Sequence, residues 1–354
     1  MTMRVMIRVP NWVGDAVMAV PALRELRRIF SDARITLLAR PWVAGLFDGE
    51  GIADDLIAIE DKSGVVQSVR RFLSLTRALR RQRFDFAVLL QNAFGAALLA
   101  RAGGARKIAG YPTDSRQALL DYAIPLQPDF KTAHQVFYYL NIASVIESHL
   151  RGQSNVDLAR SHPQLAVTPE AKERARGLLE QGGAAFLGTS SRVVAINPGA
   201  TNSRAKRWLA ERFAATADRL AERDGLQTVI VGAPGDIEAA NETARLMRSP
   251  ALVLAGKTDI AELKAVLACT SLVVSNDTGT AHVSAALGVP TVVVFGPTEH
   301  VSTRPYSDLA TVVRHDVECS PCMLRDCPID HRCMTRVEVD DVYRAAKDLL
   351  VPVR

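Results

Sequence analysis

The 354-residue sequence lacks the features of several protein classes. No apolar run approaches the roughly 18 residues of a membrane-spanning helix. Residues 1–10 carry arginines but not the apolar core of a secretory signal peptide. No long polar tract interrupts a chain that is 48% hydrophobic and 23% charged, which argues against disorder. We therefore expect a folded, soluble protein of the cytoplasm.

Aromatic residues are also scarce, at 6% of the chain, and they do not alternate with basic residues as in proteins that stack nucleic-acid bases. The formal net charge is nevertheless +5. Arginines supply most of the excess, among them Arg70, Arg71, Arg77, Arg80 and Arg81. Such residues either line a solvated helix face or form a patch for an anionic membrane surface or an acidic substrate. We expect no nucleic-acid partner.

Apolar runs alternate with helical patterns in two similar halves. The runs predict strands at 4–9, 35–39, 56–59, 86–90 and 107–109, and again at 193–196, 228–231, 251–254, 272–274 and 291–295. Near-continuous apolar strands are typical of parallel sheets covered by helices on both faces. The polar, proline-containing stretch 151–169 predicts a linker. The sequence thus predicts an α/β protein of two doubly wound Rossmann-like domains, 1–160 and 161–354, facing a central cleft, with a terminal helix free to pack back on the first.

The loop after the first strand reads Pro10-Asn11-Trp12-Val13-Gly14-Asp15. Ligands of doubly wound sheets bind at the carboxyl ends of the strands, which makes this loop a candidate site. Gly14 permits a tight turn, and Asp15 then lies at a helix start. Asp15 is either a helix-capping carboxylate or a general base for a substrate hydroxyl.

A second loop joins the first strand of the second half to a helix, and it reads Asn197-Pro198-Gly199-Ala200-Thr201-Asn202-Ser203-Arg204-Ala205-Lys206-Arg207-Trp208. Glycine, hydroxyls and cations in one strand-to-helix loop predict a phosphate cradle, with Lys206 on a diphosphate. The alternative is an ordinary solvated basic loop.

The turn Ser275-Asn276-Asp277-Thr278-Gly279-Thr280, followed by Ala281-His282, lies between an apolar strand and a helical pattern of small residues. A helix start offers unpaired N–H groups and partial positive charge, which favour a phosphate. Asp277 or Thr278 can cap the helix, and Gly279 lets a ligand approach the backbone. His282 either touches a phosphate or packs. A capped helix without a ligand is the alternative, and the similar chemistry of the second loop argues against it.

Four of the five cysteines fall within one short segment, at Cys319, Cys322, Cys327 and Cys333, with His331 among them. The spacing is compatible with tetrahedral zinc. Disulfides are disfavoured in the cytoplasm, and reduced thiols packing a loop are a third possibility. The residues leave these three interpretations open, and no metal is assigned to the candidate site.

Together the motifs resemble the lipopolysaccharide heptosyltransferases of glycosyltransferase family 9. The resemblance covers nearly the whole chain. It rests on the three loops above and continues through Gly288-Val289-Pro290-Thr291, Phe295-Gly296-Pro297-Thr298 and Glu318-Cys319-Ser320-Pro321-Cys322.

The resemblance implies a GT-B enzyme at the cytoplasmic face of the inner membrane. Such an enzyme transfers L-glycero-D-manno-heptose from ADP-heptose to a lipid A-linked acceptor, heptosyl-Kdo2-lipid A, with inversion. By resemblance Asp15 is the base, and Lys206 with the turn Asp277-Thr278-Gly279 holds the diphosphate. The implied binding residues also include Gly14, Thr201 and His282. No cofactor is expected, because a lysine and helix-terminus N–H groups can neutralise departing ADP.

Three other functions remain as alternatives. One is a heptosyltransferase for another acceptor, either for the first heptose or for a later core position. Another is a different GT-B nucleotide-sugar enzyme such as an epimerase. The third is a non-enzymatic nucleic-acid binder, an interpretation that gives no role to Asp15 or to the two phosphate loops. Loop position alone suggests Asn92, Lys107 and His134 as acceptor contacts.

Overall fold

The computed structural model describes residues 2–60, 65–128, 132–180 and 192–350. The chain divides into two compact units, Met1–Pro163 and Gln164–Arg354, called unit 1 and unit 2 below. Among the described helices, none is both long and apolar enough to cross a bilayer.

Unit 1 is built on a six-stranded parallel sheet with the strand order β3-β2-β1-β4-β5-β6. Its strands are β1 (Arg4–Arg8), β2 (Arg34–Ala39), β3 (Asp55–Ala58), β4 (Phe86–Leu89), β5 (Lys107–Gly110) and β6 (Tyr122–Ala123). Its helices include α1 (Val13–Met18), α2 (Val20–Ile29), α3 (Pro41–Ala44), α4 (Val65–Gln82), α5 (Phe94–Ala102) and α6 (Gln135–Arg151). Because the order reverses at β1, the loops after β1 and β4 flank the switch point at which such sheets bind ligands.

Unit 2 repeats this plan with the strand order β12-β11-β10-β7-β8-β9, again parallel. Its strands are β7 (Val193–Asn197), β8 (Gln227–Ile230), β9 (Ala251–Val253), β10 (Leu272–Asn276), β11 (Thr291–Val294) and β12 (Ala310–Val313). Its helices include α7 (Pro169–Glu180), α8 (Ala210–Asp224), α9 (Ile237–Leu246), α10 (Ile260–Leu267), α11 (Gly279–Ala286), α12 (His300–Thr303), α13 (Arg332–Thr335) and α14 (Val339–Leu350). The switch point lies at β7 and β10.

The predicted fold class is confirmed, and every apolar run predicted as a strand is one. The central strands are buried along their whole length, as in β7 and β10, because helices cover both faces of the sheet. Two edge strands were missed. β6 is only two residues long, and β12 is half-buried throughout, so neither carries a strong apolar run.

The terminal helix α14, for which the sequence allowed packing on the first domain, packs against α8 and strands β10 to β12 of its own unit. Val342, Ala345 and Ala346 form its buried face and join the core of unit 2.

The loops after β7 and β8 are packed together by Asp236, a buried carboxylate just before α9. Its Oδ1 accepts a hydrogen bond from the Thr201 hydroxyl at 3.1 Å, and its Oδ2 accepts one from the Ala233 N–H at 3.1 Å. A Cβ atom at Gly199 would lie 2.1 Å from Asp236 Cγ. Only glycine therefore lets these two loops meet.

We expect Gly199→Ala to destabilise unit 2 by roughly 2 kcal/mol, since the added methyl must displace either the loop or the Asp236 side chain. The measurement is urea unfolding followed by tryptophan fluorescence in a W12F/W42F background, in which the signal comes from Trp208, a buried residue of unit 2. Gly177→Ala in α7 is the matched control, because a Cβ there meets nothing within 4 Å, and we expect it to be neutral or stabilising by up to about 1 kcal/mol. Equal unfolding midpoints for the two variants would contradict the packing role of Asp236.

Candidate functional site

In unit 1 the loop after β1 leads directly into α1. The helix begins at Val13 with Trp12 as its N-cap, so Asp15 lies in the first turn. The partial positive charge of a helix start stabilises a carboxylate at this position. Gly14 is the second residue of α1, so it belongs to the helix and not to the tight turn that it was expected to permit.

Tyr139 of α6 lies close enough to Asp15 for the carboxylate charge to act on the phenol. Burial, and after it the charge of Asp15, raise the pKa of Tyr139 well above its usual range. The phenol therefore stays protonated near neutral pH. The charge of Asp15 thus acts on a neutral phenol, an influence that the sequence did not predict because Tyr139 lies on a helix more than a hundred residues away.

Asn11 organises a basic and aromatic cluster at the carboxyl ends of β1 and β2. Its side-chain oxygen accepts hydrogen bonds from Arg8 at 2.6 Å and Arg40 at 3.3 Å, and its carbonyl accepts one from the Trp42 indole at 2.8 Å. The Arg40 guanidinium lies 5.6 Å from the centre of the exposed Trp42 ring. A guanidinium beside an exposed aromatic ring offers charge-assisted hydrogen bonds to an anionic ligand.

The three suggested acceptor contacts differ in position. Asn92 follows β4 at the carboxyl edge of the sheet and accepts a hydrogen bond from the buried Arg116 at 2.9 Å. Lys107 begins β5, at the amino edge, so its suggested place beside a carboxyl-edge ligand is wrong. His134 is the N-cap of α6, where its Nδ1 accepts a hydrogen bond from the Val136 N–H at 3.2 Å.

In unit 2 the structure brings Lys206 onto the turn after β10. The Lys206 Nζ atom lies 2.7 Å from Asp277 Oδ2 and 3.4 Å from the Asp277 carbonyl oxygen. The same Oδ2 accepts a hydrogen bond from the Thr298 hydroxyl at 2.7 Å. The carboxylate of Asp277 is almost fully buried, whereas the Lys206 side chain is 27% exposed. Asp277 therefore fixes the direction of a cation that remains open to solvent.

Asn276 holds the Lys206 loop at both of its ends. Its side-chain nitrogen donates to the carbonyl oxygens of Pro198 at 2.9 Å and Gly199 at 3.2 Å, and its side-chain oxygen accepts from the Trp208 N–H at 2.9 Å. Asn276 is fully buried, which strengthens these bonds. Asn276 belongs to the turn recognised in the sequence, but no role could be predicted for it, because its partners lie in a distant loop.

Asn197, at the end of β7, donates to the Thr278 hydroxyl at 2.8 Å and the Ser275 hydroxyl at 3.2 Å. Thr278 is the N-cap of α11 and makes no side-chain capping hydrogen bond. The first turn of α11 therefore starts at Gly279 with backbone N–H groups that a ligand can accept from.

The remaining predicted binding residues occupy different environments. Thr201 is exposed, and its hydroxyl is oriented by Asp236. His282 is buried within α11, 6% exposed. Arg204, another cation of the Lys206 loop, pairs with Asp326 at 2.6 Å rather than with the turn after β10. Of the predicted set in unit 2, Lys206 and Asp277 make direct contact, and Thr278 is tied to β7 beside them.

The cysteines of the clustered segment are free thiols, and the described part of the chain contains no group of three or more His, Cys, Asp or Glu side chains arranged to hold a metal ion. Burial raises the pKa of the Cys333 thiol to about 11, with smaller contributions from the neighbouring Cys319, Cys322 and Cys327. The Cys333 thiol is consequently protonated and unreactive near neutral pH.

The same segment supports the Lys206 loop. The Arg325 carbonyl accepts a hydrogen bond from the Ala205 N–H at 2.9 Å, and the His331 ring nitrogen lies 2.6 Å from the Ala205 carbonyl oxygen. Met323 donates its N–H to the Pro297 carbonyl at 2.8 Å, which links the segment to the loop after β11. The cysteine segment is therefore part of the scaffold beneath Lys206.

Comparison with known proteins gives full-length similarities. The chain is 29% identical over 354 residues to lipooligosaccharide heptosyltransferase 2 of Campylobacter jejuni, and 98% of each chain is covered. It is 28% identical over 317 residues to lipopolysaccharide heptosyltransferase 2 of Escherichia coli K12, and 88% of each chain is covered.

The fold is similar to the structure of E. coli ADP-heptose LPS heptosyltransferase II, with a TM-score of 0.81, 25% identity and 98% of each chain covered. This similarity confirms the predicted GT-B class. The family model for glycosyltransferase family 9 (heptosyltransferase) matches residues 72–332, which is most of the chain. The protein is therefore a glycosyltransferase and belongs to glycosyltransferase family 9, the heptosyltransferase family.

Proposed function

We propose that this enzyme transfers L-glycero-D-manno-heptose from ADP-heptose to the heptosyl-Kdo2-lipid A inner core of lipopolysaccharide. The observation that carries the proposal is the partly open Lys206 ammonium, held by Asp277 beside the start of α11. A sugar donor with a diphosphate leaving group requires positive charge at that group. The names of the two relatives, both heptosyltransferases 2, support addition of the second heptose.

In this proposal the donor binds to unit 2 through its diphosphate. Lys206 and the first N–H groups of α11 neutralise the charge that builds on departing ADP. The Thr201 hydroxyl and the backbone at Gly279 contact the phosphates, with His282 one turn further along α11. Asp277 acts through Lys206, because its carboxylate is occupied by Lys206 and Thr298 and would repel a phosphate.

The acceptor is assigned to unit 1. Asp15, in the first turn of α1, accepts the proton of the attacking acceptor hydroxyl. The hydroxyl oxygen forms a bond to the anomeric carbon as the bond to the diphosphate oxygen breaks, so the configuration inverts. Arg40 and Trp42 offer a cation and a ring for the acidic sugars of the acceptor. Gly14, in the first turn of α1, is assigned to the same acceptor site.

The acceptor is anchored in lipid, so we propose that the enzyme works in the cytoplasm as a peripheral protein of the inner membrane. The net charge of +5 supports attraction to a surface of anionic lipids.

The direct test is ADP release from ADP-heptose in the presence of purified acceptors. We expect release with an acceptor that carries one heptose on Kdo2-lipid A, and little release with the heptose-free acceptor. Release only with the heptose-free acceptor would support heptosyl transfer but would assign the enzyme to addition of the first heptose. Release with neither, together with turnover of another sugar nucleotide, would assign it to a different donor.

Asp15→Ala and Lys206→Ala should have separable effects. We expect Asp15→Ala to lower turnover by about a thousandfold and to leave ADP affinity within about twofold, because Asp15 serves only proton transfer. Lys206→Ala should weaken ADP binding by about tenfold and lower turnover as well, since it loses a charge-assisted contact. Calorimetric titration with ADP and the ADP-release assay measure the two quantities.

Exposed residues of the same types provide the controls. Asp32→Ala and Lys257→Ala change neither loop and should retain normal turnover and ADP affinity. Near-normal turnover of Asp15→Ala would rule out Asp15 as the base, and unchanged ADP affinity of Lys206→Ala would remove Lys206 from the diphosphate.

A further inference from the structure

Helix α4 carries an unusual concentration of positive charge. Residues 65–83 contain six arginines and no aspartate or glutamate. One side of the helix packs into the core of unit 1 through Leu79, with Phe72 and Leu75 packed against the same cluster. The opposite side is exposed to solvent. The helix is therefore amphipathic, with a polar face of a single charge sign.

Apolar residues interrupt this basic face. Val69 is 54% exposed and Leu73 is 47% exposed, and they lie four residues apart on the same side of the helix as the exposed Arg77. Arg70 and Arg81 flank this stripe and are also exposed. In the described ranges of the chain, no ion pair joins Arg70, Arg77 or Arg81 to an acidic residue. Solvation of a polar helix face does not explain why valine and leucine are exposed among these arginines.

Helix α5 extends the surface. Each of the two helices connects two parallel strands of the same sheet, so the helices run in the same direction. Their C-terminal ends meet where Arg80 Nε donates a hydrogen bond to the Ala102 carbonyl at 2.7 Å. On α5, Phe94 is 44% exposed and Leu98 is 38% exposed, again four residues apart. At the start of α5, Asp114 accepts a hydrogen bond from the Phe94 N–H at 2.8 Å.

We propose that the surface formed by Val69, Arg70, Leu73, Arg77, Arg81, Phe94 and Leu98, the α4–α5 surface, docks on an anionic lipid bilayer. This inference rests on the proposed function to the extent that a lipid-anchored acceptor brings the enzyme to a membrane. Arginines attract anionic headgroups, while exposed aliphatic and aromatic side chains enter the boundary between headgroups and acyl chains. Nucleic acid also attracts arginines, but Val69, Leu73 and Leu98 offer no stacking surface, and Phe94 supplies a single ring where base-stacking proteins use several.

The test is co-sedimentation of the full-length protein with vesicles, without donor or acceptor. We expect binding to an equal mixture of phosphatidylglycerol and phosphatidylcholine, no binding to phosphatidylcholine alone, and weaker binding as salt is raised. The variant R70E/R77E/R81E should bind the anionic vesicles about tenfold more weakly or worse. Val69→Ser with Leu73→Ser should reduce the binding that survives at high salt, which reports the apolar contribution.

The matched control is R174E/R223E/R245E, which makes the same change in net charge at exposed arginines of unit 2 and should retain vesicle binding. Equal loss in both triple variants would show that net charge alone attracts the protein, and equal binding of wild type and R70E/R77E/R81E would also overturn the proposal. Arginine-dependent binding to a DNA or RNA duplex without vesicle binding would assign the surface to nucleic acid.

Vesicle binding is independent of the proposed heptosyl transfer. With an acceptor fragment that lacks acyl chains, R70E/R77E/R81E should release ADP as fast as wild type. Vesicle binding by a wild-type protein that releases no ADP would overturn the proposed function and leave the α4–α5 surface standing. Slow ADP release by the variant on that soluble fragment would instead mean that these arginines bind the acceptor.

Discussion

The candidate donor site depends on one ion pair, between the Lys206 ammonium and the Asp277 carboxylate. A lysine side chain on a loop has many conformers, and holding it in one costs conformational entropy. Asp277 offsets that cost because its carboxylate is buried and is itself fixed by Thr298. The ammonium has three N–H donors, so contact with Asp277 leaves donors for a diphosphate. The pair therefore directs a positive charge to the start of α11, where backbone N–H groups add to it.

Other residues of unit 2 hold the Lys206 loop and the turn with Asp277 next to each other. Asn276 fastens the beginning and the end of the Lys206 loop to the end of β10, and Asn197 fastens β7 to Thr278. The cysteine segment contacts both backbone polar groups of Ala205, the residue next to Lys206. Because parallel neighbours β7 and β10 end at the same edge, short side chains suffice for these bridges.

Local patterns in the sequence predicted every strand except β6 and β12, and the sheet edge at which the candidate site lies. Apolar runs marked the buried strands, and the carboxyl-edge rule predicted that the loop with Lys206 and the turn with Asp277 would lie together. The role of Asp277 was not predictable, because its carboxylate binds a cation and a hydroxyl that are distant in sequence. Tyr139, Asn276 and Asp236 were missed for the same reason, since contacts between remote segments leave no periodic signal. Lys107 was misplaced although the predicted strand 107–109 already begins with it, which puts Lys107 at the amino edge of the sheet, opposite to the edge at which ligands bind.

The decisive measurement is ADP affinity in Asp277→Asn, determined by calorimetry alone and in the Lys206→Ala background. Simple charge repulsion predicts that removing an anion near an anionic ligand strengthens binding. If the ion pair organises the site, binding weakens instead, because Lys206 loses the partner that directs it, and the effect disappears once Lys206 is alanine. Weaker ADP binding in Asp277→Asn that vanishes in the double variant would establish the ion pair as the organising contact. Tighter or unchanged binding would contradict it.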